Sequence, residues 1–186
     1  TQIGSDINGE AISDESGHVN SLSLSSDGSI VAIGALSNDG NGNSSGHVRI
    51  YRNINNTWTQ IGSDIDGEAA LDSSGKALSL SADGSIVAIG AYQNDGNGNS
   101  SGHVRIYRNI NNTWTQIGSD IDGEAALDQS GYSVSLSSDG SIVAIGANYN
   151  DGNGTDSGHV RVYQTDFNSI TLTSQSISAS ELISLD

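Results

Sequence analysis

The chain of 186 residues carries 22 acidic and 6 basic side chains, a net charge of -16. A surface of that sign repels nucleic acid and anionic membranes, whose binding is led by Lys and Arg, and Lys76 is its only lysine. It has no Cys, so neither disulfides nor thiolate metal sites are available, and it has no apolar run of about 18 residues to span a bilayer as a helix.

Self-similarity organises the rest. Residues 57–112 and 113–168 are identical at 42 of 56 positions and both open TWTQIGSDIDGEAALD. Residues 1–56 form a third copy that starts at TQIG. It holds its extra residues in GHVNSLSLSSDG, where the second copy reads GKALSLSADG.

In chain order, TQIGSDI at Thr1 reads as a lone final strand of a unit whose other strands are missing. Each copy then predicts four short strands. The first is the alternating LSLS at Leu22 to Ser25, Leu78 to Ser81 and Ser133 to Ser137, a half-buried strand. An Asp-Gly turn follows (Asp27-Gly28, Asp83-Gly84, Asp139-Gly140), whose residues tolerate positive φ. The second strand is the apolar run Ile30 to Ala35, Ile86 to Ala91 and Ile142 to Ala147, which predicts cover on both faces. The third spans His47 to Arg52, His103 to Arg108 and His159 to Tyr163. The Asn-rich NINN is a turn by composition, and the fourth strand is TWTQIG at Thr57 to Gly62 and Thr113 to Gly118. GEAALD is long enough for one helical turn and no more.

Four strands per repeat predict an all-β fold of antiparallel β-propeller blades, at about 1–56, 57–112 and 113–168. A single blade cannot bury both of its faces, so stacking supplies the core. Propellers close with roughly 4–8 blades. The three copies are therefore expected to be part of a longer array or one protomer of a ring built from further copies of the chain. The opening strand is a candidate to complete the last blade. Residues 169–186 break the pattern and read as a linker or the start of another module.

The pattern G-[YK]-[SA]-[VL]-S-L-S-x-D-G-S-I-V-A-I-G-A followed by G-H-V-R-[IV]-Y resembles the FG-GAP repeats of integrin-alpha-type propellers. Ile33-Gly34-Ala35, Ile89-Gly90-Ala91 and Ile145-Gly146-Ala147 carry the second-strand element, and Gly46, Gly102 and Gly158 open the third. The resemblance implies a propeller and non-enzymatic adhesion or structural use in a secreted or cell-surface protein, as in large bacterial surface proteins. Surface glycans or other surface proteins would be its partners. It does not carry over the family's calcium loop, because D-x-D-x-D-G is here only Ser-Ser-Asp-Gly or Ser-Ala-Asp-Gly.

Two loops offer oxygen ligands at alternate positions, a spacing that suits calcium. One is DIDGE with a downstream Asp: Asp64, Asp66, Glu68 and Asp72, then Asp120, Asp122, Glu124 and Asp128, with Asp6, Asn8, Glu10 and Asp14 in the first copy. The other is NDGNGN: Asp39, Asn41 and Asn43; Asp95, Asn97 and Asn99; Asp151 and Asn153 with Thr155. The alternatives are a solvated acidic loop and a Gly/Asn-rich hairpin. His47, His103 and His159 share a strand face with Arg49, Arg105 and Arg161. They either line a binding surface or bond the neighbouring acidic loop. Trp58 and Trp114, with Tyr51, Tyr107 and Tyr163, either stack on sugars in a lectin-like propeller or pack between blades. No catalytic constellation is found, because the carboxylates repeat with the copies whereas catalysis needs a unique set.

Overall fold

A computed structural model of the protein describes residues 1–165. The proposed tail at 169–186 lies outside the described residues.

The described strands are all antiparallel. β1 (Leu22–Leu24), β2 (Ile30–Ala35), β3 (His47–Ile54) and β4 (Thr57–Gln60) follow one another across the first sheet, and β5 (Ile65–Asp66) also pairs with β3. β6 (Ala77–Leu80), β7 (Ile86–Ala91), β8 (His103–Ile110), β9 (Thr113–Gln116) and β10 (Ile121–Asp122) repeat that arrangement in the second. β11 (Ser130–Leu136), β12 (Ile142–Ala147) and β13 (His159–Gln164) form the third. The expected antiparallel blade-like sheets are present, but with five, five and three strands in place of four. Each of the first two takes its outer strands from the start of the next repeat, so the sheets do not follow the bounds 1–56, 57–112 and 113–168.

The turns follow from their residues. Asn55 and Asn56 join β3 to β4 with φ of 51° and 65°, the double positive φ of a two-residue type I′ hairpin. Asn53 Oδ1 accepts the Asn56 N–H at 3.0 Å and fixes the corner. At the β1–β2 turn Gly28 has φ 71° and donates to Ser25 O at 2.9 Å.

The fourth strand differs from its expected form. Tyr51 faces Gln60, yet Val48 faces Ile65, so the outer strand breaks after Gln60 and resumes at Ile65 with two residues looped out. GEAALD forms turns, not a helix. The opening segment is also corrected: residues 1–21 contain no strand, and β13 ends its sheet without a partner from them. A strand needs a ladder to join, and residues 1–7 find none among the described residues. They still hold the place of residues 59–65, because Trp58 Nε1 donates to Ile3 O at 2.9 Å just as Trp114 Nε1 donates to Ile61 O at 2.8 Å.

The blades stack by sharing cores. Ile30, Ala32, Val48, Ile50, Ile61 and Ile65 from the first blade meet Leu78, Leu80, Val87, Ile89 and Tyr107 from the second. The opposite face of the second blade gives Ile86, Ala88, Val104 and Ile106 to Val143 and Ile145 of the third. Alternate residues of the IVAIGA strand thus serve two different cores, which is why the strand is apolar throughout. Stacking is close: a Cβ on Gly34 would overlap the carbonyl of Gly75, and one on Gly90 that of Gly131. Polar bonds fix the stagger, with Leu80 N donating to Ser23 Oγ and Leu136 N to Ser79 Oγ, both at 3.0 Å. The first strands of all three blades meet around a cavity lined by Asn20, Leu22, Ala77, Leu78, Ser133 and Val134.

Candidate metal centre

Among the described residues, three or more His, Asp or Glu side chains with ligand atoms within 4.8 Å of one another occur as two groups: Glu10 with His47 and Asp64, and Glu68 with His103 and Asp120. The second is built from three places. Glu68 lies on the connector between the first two blades, His103 begins β8, and Asp120 directly precedes β10. The two-residue loop in the broken outer strand is what swings Asp120 beside His103, since Asp122 pairs with His103 in the ladder. His103 Nδ1 lies 3.8 Å from Glu68 Oε2 and 3.9 Å from Asp120 Oδ2. The first group repeats this, with His47 Nδ1 at 3.7 Å from Glu10 Oε2 and 3.8 Å from Asp64 Oδ2.

Each carboxylate is held by its other oxygen. Glu68 Oε1 faces Arg105 Nη1 at 3.5 Å, and Asp120 Oδ1 accepts from Gln116 Nε2 at 2.6 Å. In the first group Glu10 Oε1 faces Arg49 Nη1 at 3.3 Å and Asp64 Oδ1 accepts from Gln60 Nε2 at 2.6 Å. The His103 ring is 1% exposed, and neither of its nitrogens has a hydrogen-bond partner. Burial, followed by the Arg105 charge, pushes its pKa down and favours the neutral imidazole. In the third repeat His159 Nδ1 lies 3.5 Å from Glu124 Oε2, with Arg161 Nη1 3.6 Å from Oε1.

The DIDGE residues therefore divide among separate partners. Asp64 and Glu68 go to different imidazoles, as do Asp120 and Glu124. Asp66 and Asp122 lend their backbone carbonyls to Arg105 and Arg161. Asp72 is buried and accepts from Ala69 N and Asn94 Nδ2 at 3.0 Å each, and Asp128 accepts from Ala125 N and Asn150 Nδ2. Asp6 accepts from Gln2, Asn8 O from Arg49, and Asp14 from Ala11 N and Asn38.

The NDGNGN loops act as clips on the connector. Asn41 Nδ2 donates to the carbonyls of Gly67 and Glu68, and Asn97 Nδ2 to those of Gly123 and Glu124. The Asn43 and Asn99 carbonyls accept from Leu71 N and Leu127 N at 2.8 Å. Asp39, Asp95 and Asp151 cap Ser44, Ser100 and Asp156 N–H groups within their own loops. Asn153 N donates to Ser157 Oγ at 3.2 Å.

The tyrosine candidates and Trp114 pack, whereas Trp58 is only part-buried and donates Nε1 to Ile3 O. Tyr51 and Tyr107 are buried, with the guanidinium carbons of Arg49 and Arg105 at 5.7 and 5.6 Å from their ring centres. Trp114 is half-buried against the core between the first two blades. Tyr92 and Tyr132, which differ between copies, meet edge to face at 5.5 Å, with the Lys76 ammonium 5.2 Å from the Tyr132 ring.

Sequence reasoning found the carboxylates and the imidazoles but not their union. The signal was present in the recurring order Glu, His, Asp: His47 to Asp64 and His103 to Asp120 are both 17 residues, while Glu10 and Glu68 lie 37 and 35 residues before their histidines because the first copy carries extra residues. The calcium expectation meets a donor set with an imidazole nitrogen in each group, whereas calcium is held by oxygen ligands. The Asp-Gly turn adds one carboxylate whose Oδ1 already accepts from Ser25 Oγ, Ser29 N and Ser29 Oγ.

No helix among the described residues is long and apolar enough to cross a membrane. No curated protein matches the chain. Residues 120–163 match the family model of the FG-GAP repeat. The same segment recurs with few changes at 64–107, so the repeat unit of this chain is similar to the FG-GAP repeat, an adhesion or structural kind of module.

Proposed function

We propose that the chain is a non-enzymatic structural segment of a secreted or cell-surface adhesion protein, and that it works by stacking against further blades of its own repeat. One observation carries this. Leu78 and Leu80 are 6% and 7% exposed, while their first-blade counterparts Leu22 and Leu24 are 56% and 60% exposed. Val104 and Ile106 are 0% and 4% exposed, while Val160 and Val162 of the third blade are 68% and 65% exposed.

The first face has the shape and composition that receives a preceding blade, and the last has those that receive a following one. Each large apolar side chain so covered contributes roughly 1.5–3 kcal/mol. The interface is head-to-tail, so it extends into an array or closes into a ring according to the rotation per blade. The likeness to the FG-GAP repeat supports the extracellular adhesion setting.

Sedimentation velocity over a range of concentrations tests the stacking. The expected result is concentration-dependent association of the chain, abolished by Val160→Asp and independently by Leu24→Asp. A monomer at every concentration, or association untouched by both substitutions, overturns the reading.

A further inference from the structure

We propose that Glu68, His103 and Asp120 bind a divalent transition cation of the zinc class, and that Glu10, His47 and Asp64 bind a second. The argument begins from orientation. In both groups each carboxylate has one oxygen occupied, by Arg or Gln, and turns the other toward the imidazole. Outer partners that fix ligand carboxylates in this way are the usual support of a metal site.

The buried imidazole is the independent observation. His103 Nδ1 is shielded from solvent, has no hydrogen-bond partner and points at two carboxylate oxygens just beyond hydrogen-bond reach. A polar atom left so is costly unless something binds it. A cation on Nδ1 and the two oxygens would satisfy all three.

Geometry and charge agree. Zinc bonds of about 2.0–2.1 Å in a tetrahedral arrangement place ligand atoms roughly 3.3–3.4 Å apart. The imidazole-to-carboxylate separations of 3.7 to 3.9 Å need only about half an ångström of closure, and the two carboxylate oxygens lie within 4.8 Å of each other. Three protein ligands leave one position for water. Two carboxylates against one guanidinium leave net negative charge at each group. One nitrogen with two oxygens suits zinc, cobalt or manganese better than calcium. The ion would join the incoming connector, through Glu68, to the third and outer strands of its blade, through His103 and Asp120. The third repeat, with Glu124 and His159, offers two of the three ligands among the described residues.

The test is titration of the chelator-treated whole chain with zinc by calorimetry and with cobalt by visible absorption. The expected result is two equivalents of zinc per chain, a tetrahedral cobalt spectrum, and a rise in melting temperature with zinc, since a ligand that binds only the folded state stabilises it. His103→Ala should leave one equivalent, and His103→Ala with His47→Ala none. His18→Ala, at a histidine outside both groups, should leave both. Glu68→Gln keeps the side-chain shape and should weaken one site about 10–100-fold with circular dichroism unchanged, which serves if His103→Ala fails to fold. Zinc binding that survives the double histidine substitution, a calcium response equal to that of zinc, or no binding at all would overturn the proposal.

Discussion

Asp27 is a carboxylate whose work is local. Hydrogen bonds from Ser25 Oγ and from the Ser29 N–H and hydroxyl hold its pKa down at about 2, below the ordinary 3.8, and Asp139 is lowered to about 2 in the same way by Ser137 and Ser141. At Asp83 burial pushes upward, but bonds from Ser81 and Ser85 outweigh it and the pKa again falls. A carboxyl with a depressed folded-state pKa stabilises the fold fully above its unfolded value and loses that contribution as pH falls through the folded value. Stability should therefore decline between about pH 4 and 2. Carboxyl NMR should place the Asp27 and Asp139 midpoints near 2, and Ser25→Ala should move Asp27 back toward 3.8. The turn itself was legible as Asp-Gly; the flanking serines that tune it were not, because their role depends on rotamers that bend back on the turn. Asp72 was legible as a candidate oxygen ligand for calcium, not as a buried acceptor. Buried, with Ala69 N and Asn94 Nδ2 on one oxygen, it is a structural acceptor. Asp72→Ala strands both donors and should cost about 1–3 kcal/mol in a denaturant melt.

At the scale of elements, the three inner strands of each blade were legible because their apolar spacing is local information. The outer strand was legible only in part. TWTQ and the continuation at Ile65–Asp66 both carry strand residues, but the interruption depends on which residues of β3 they meet. That interruption is also what assembles the Glu–His–Asp groups, so the site stayed hidden for the same reason as the break. The glycines of IVAIGA have a reason that only stacking reveals. Gly90→Ala drives a methyl into the Gly131 carbonyl of the next blade, whereas at Gly146 the obstacle is the Ser133 hydroxyl, which can rotate away. Gly90→Ala should lower stability by about 1–3 kcal/mol, the usual range of overpacking. Gly146→Ala should cost clearly less in the same urea melt.

For the whole molecule, the all-β class and the need for stacking followed from the repeat, and the shared cores follow the alternation within each strand. Which apolar faces remain open was not legible, because the same residues are buried in one copy and exposed in another. The account rests on each blade drawing its stability from its neighbours. The most direct test is to excise the second blade, residues 67–122, and compare its amide hydrogen exchange and far-ultraviolet circular dichroism with those of the whole chain. The account predicts an unfolded fragment with unprotected amides, beside a chain whose β7 and β8 amides are the slowest to exchange. A fragment that folds alone, with protected β7 and β8, would contradict it.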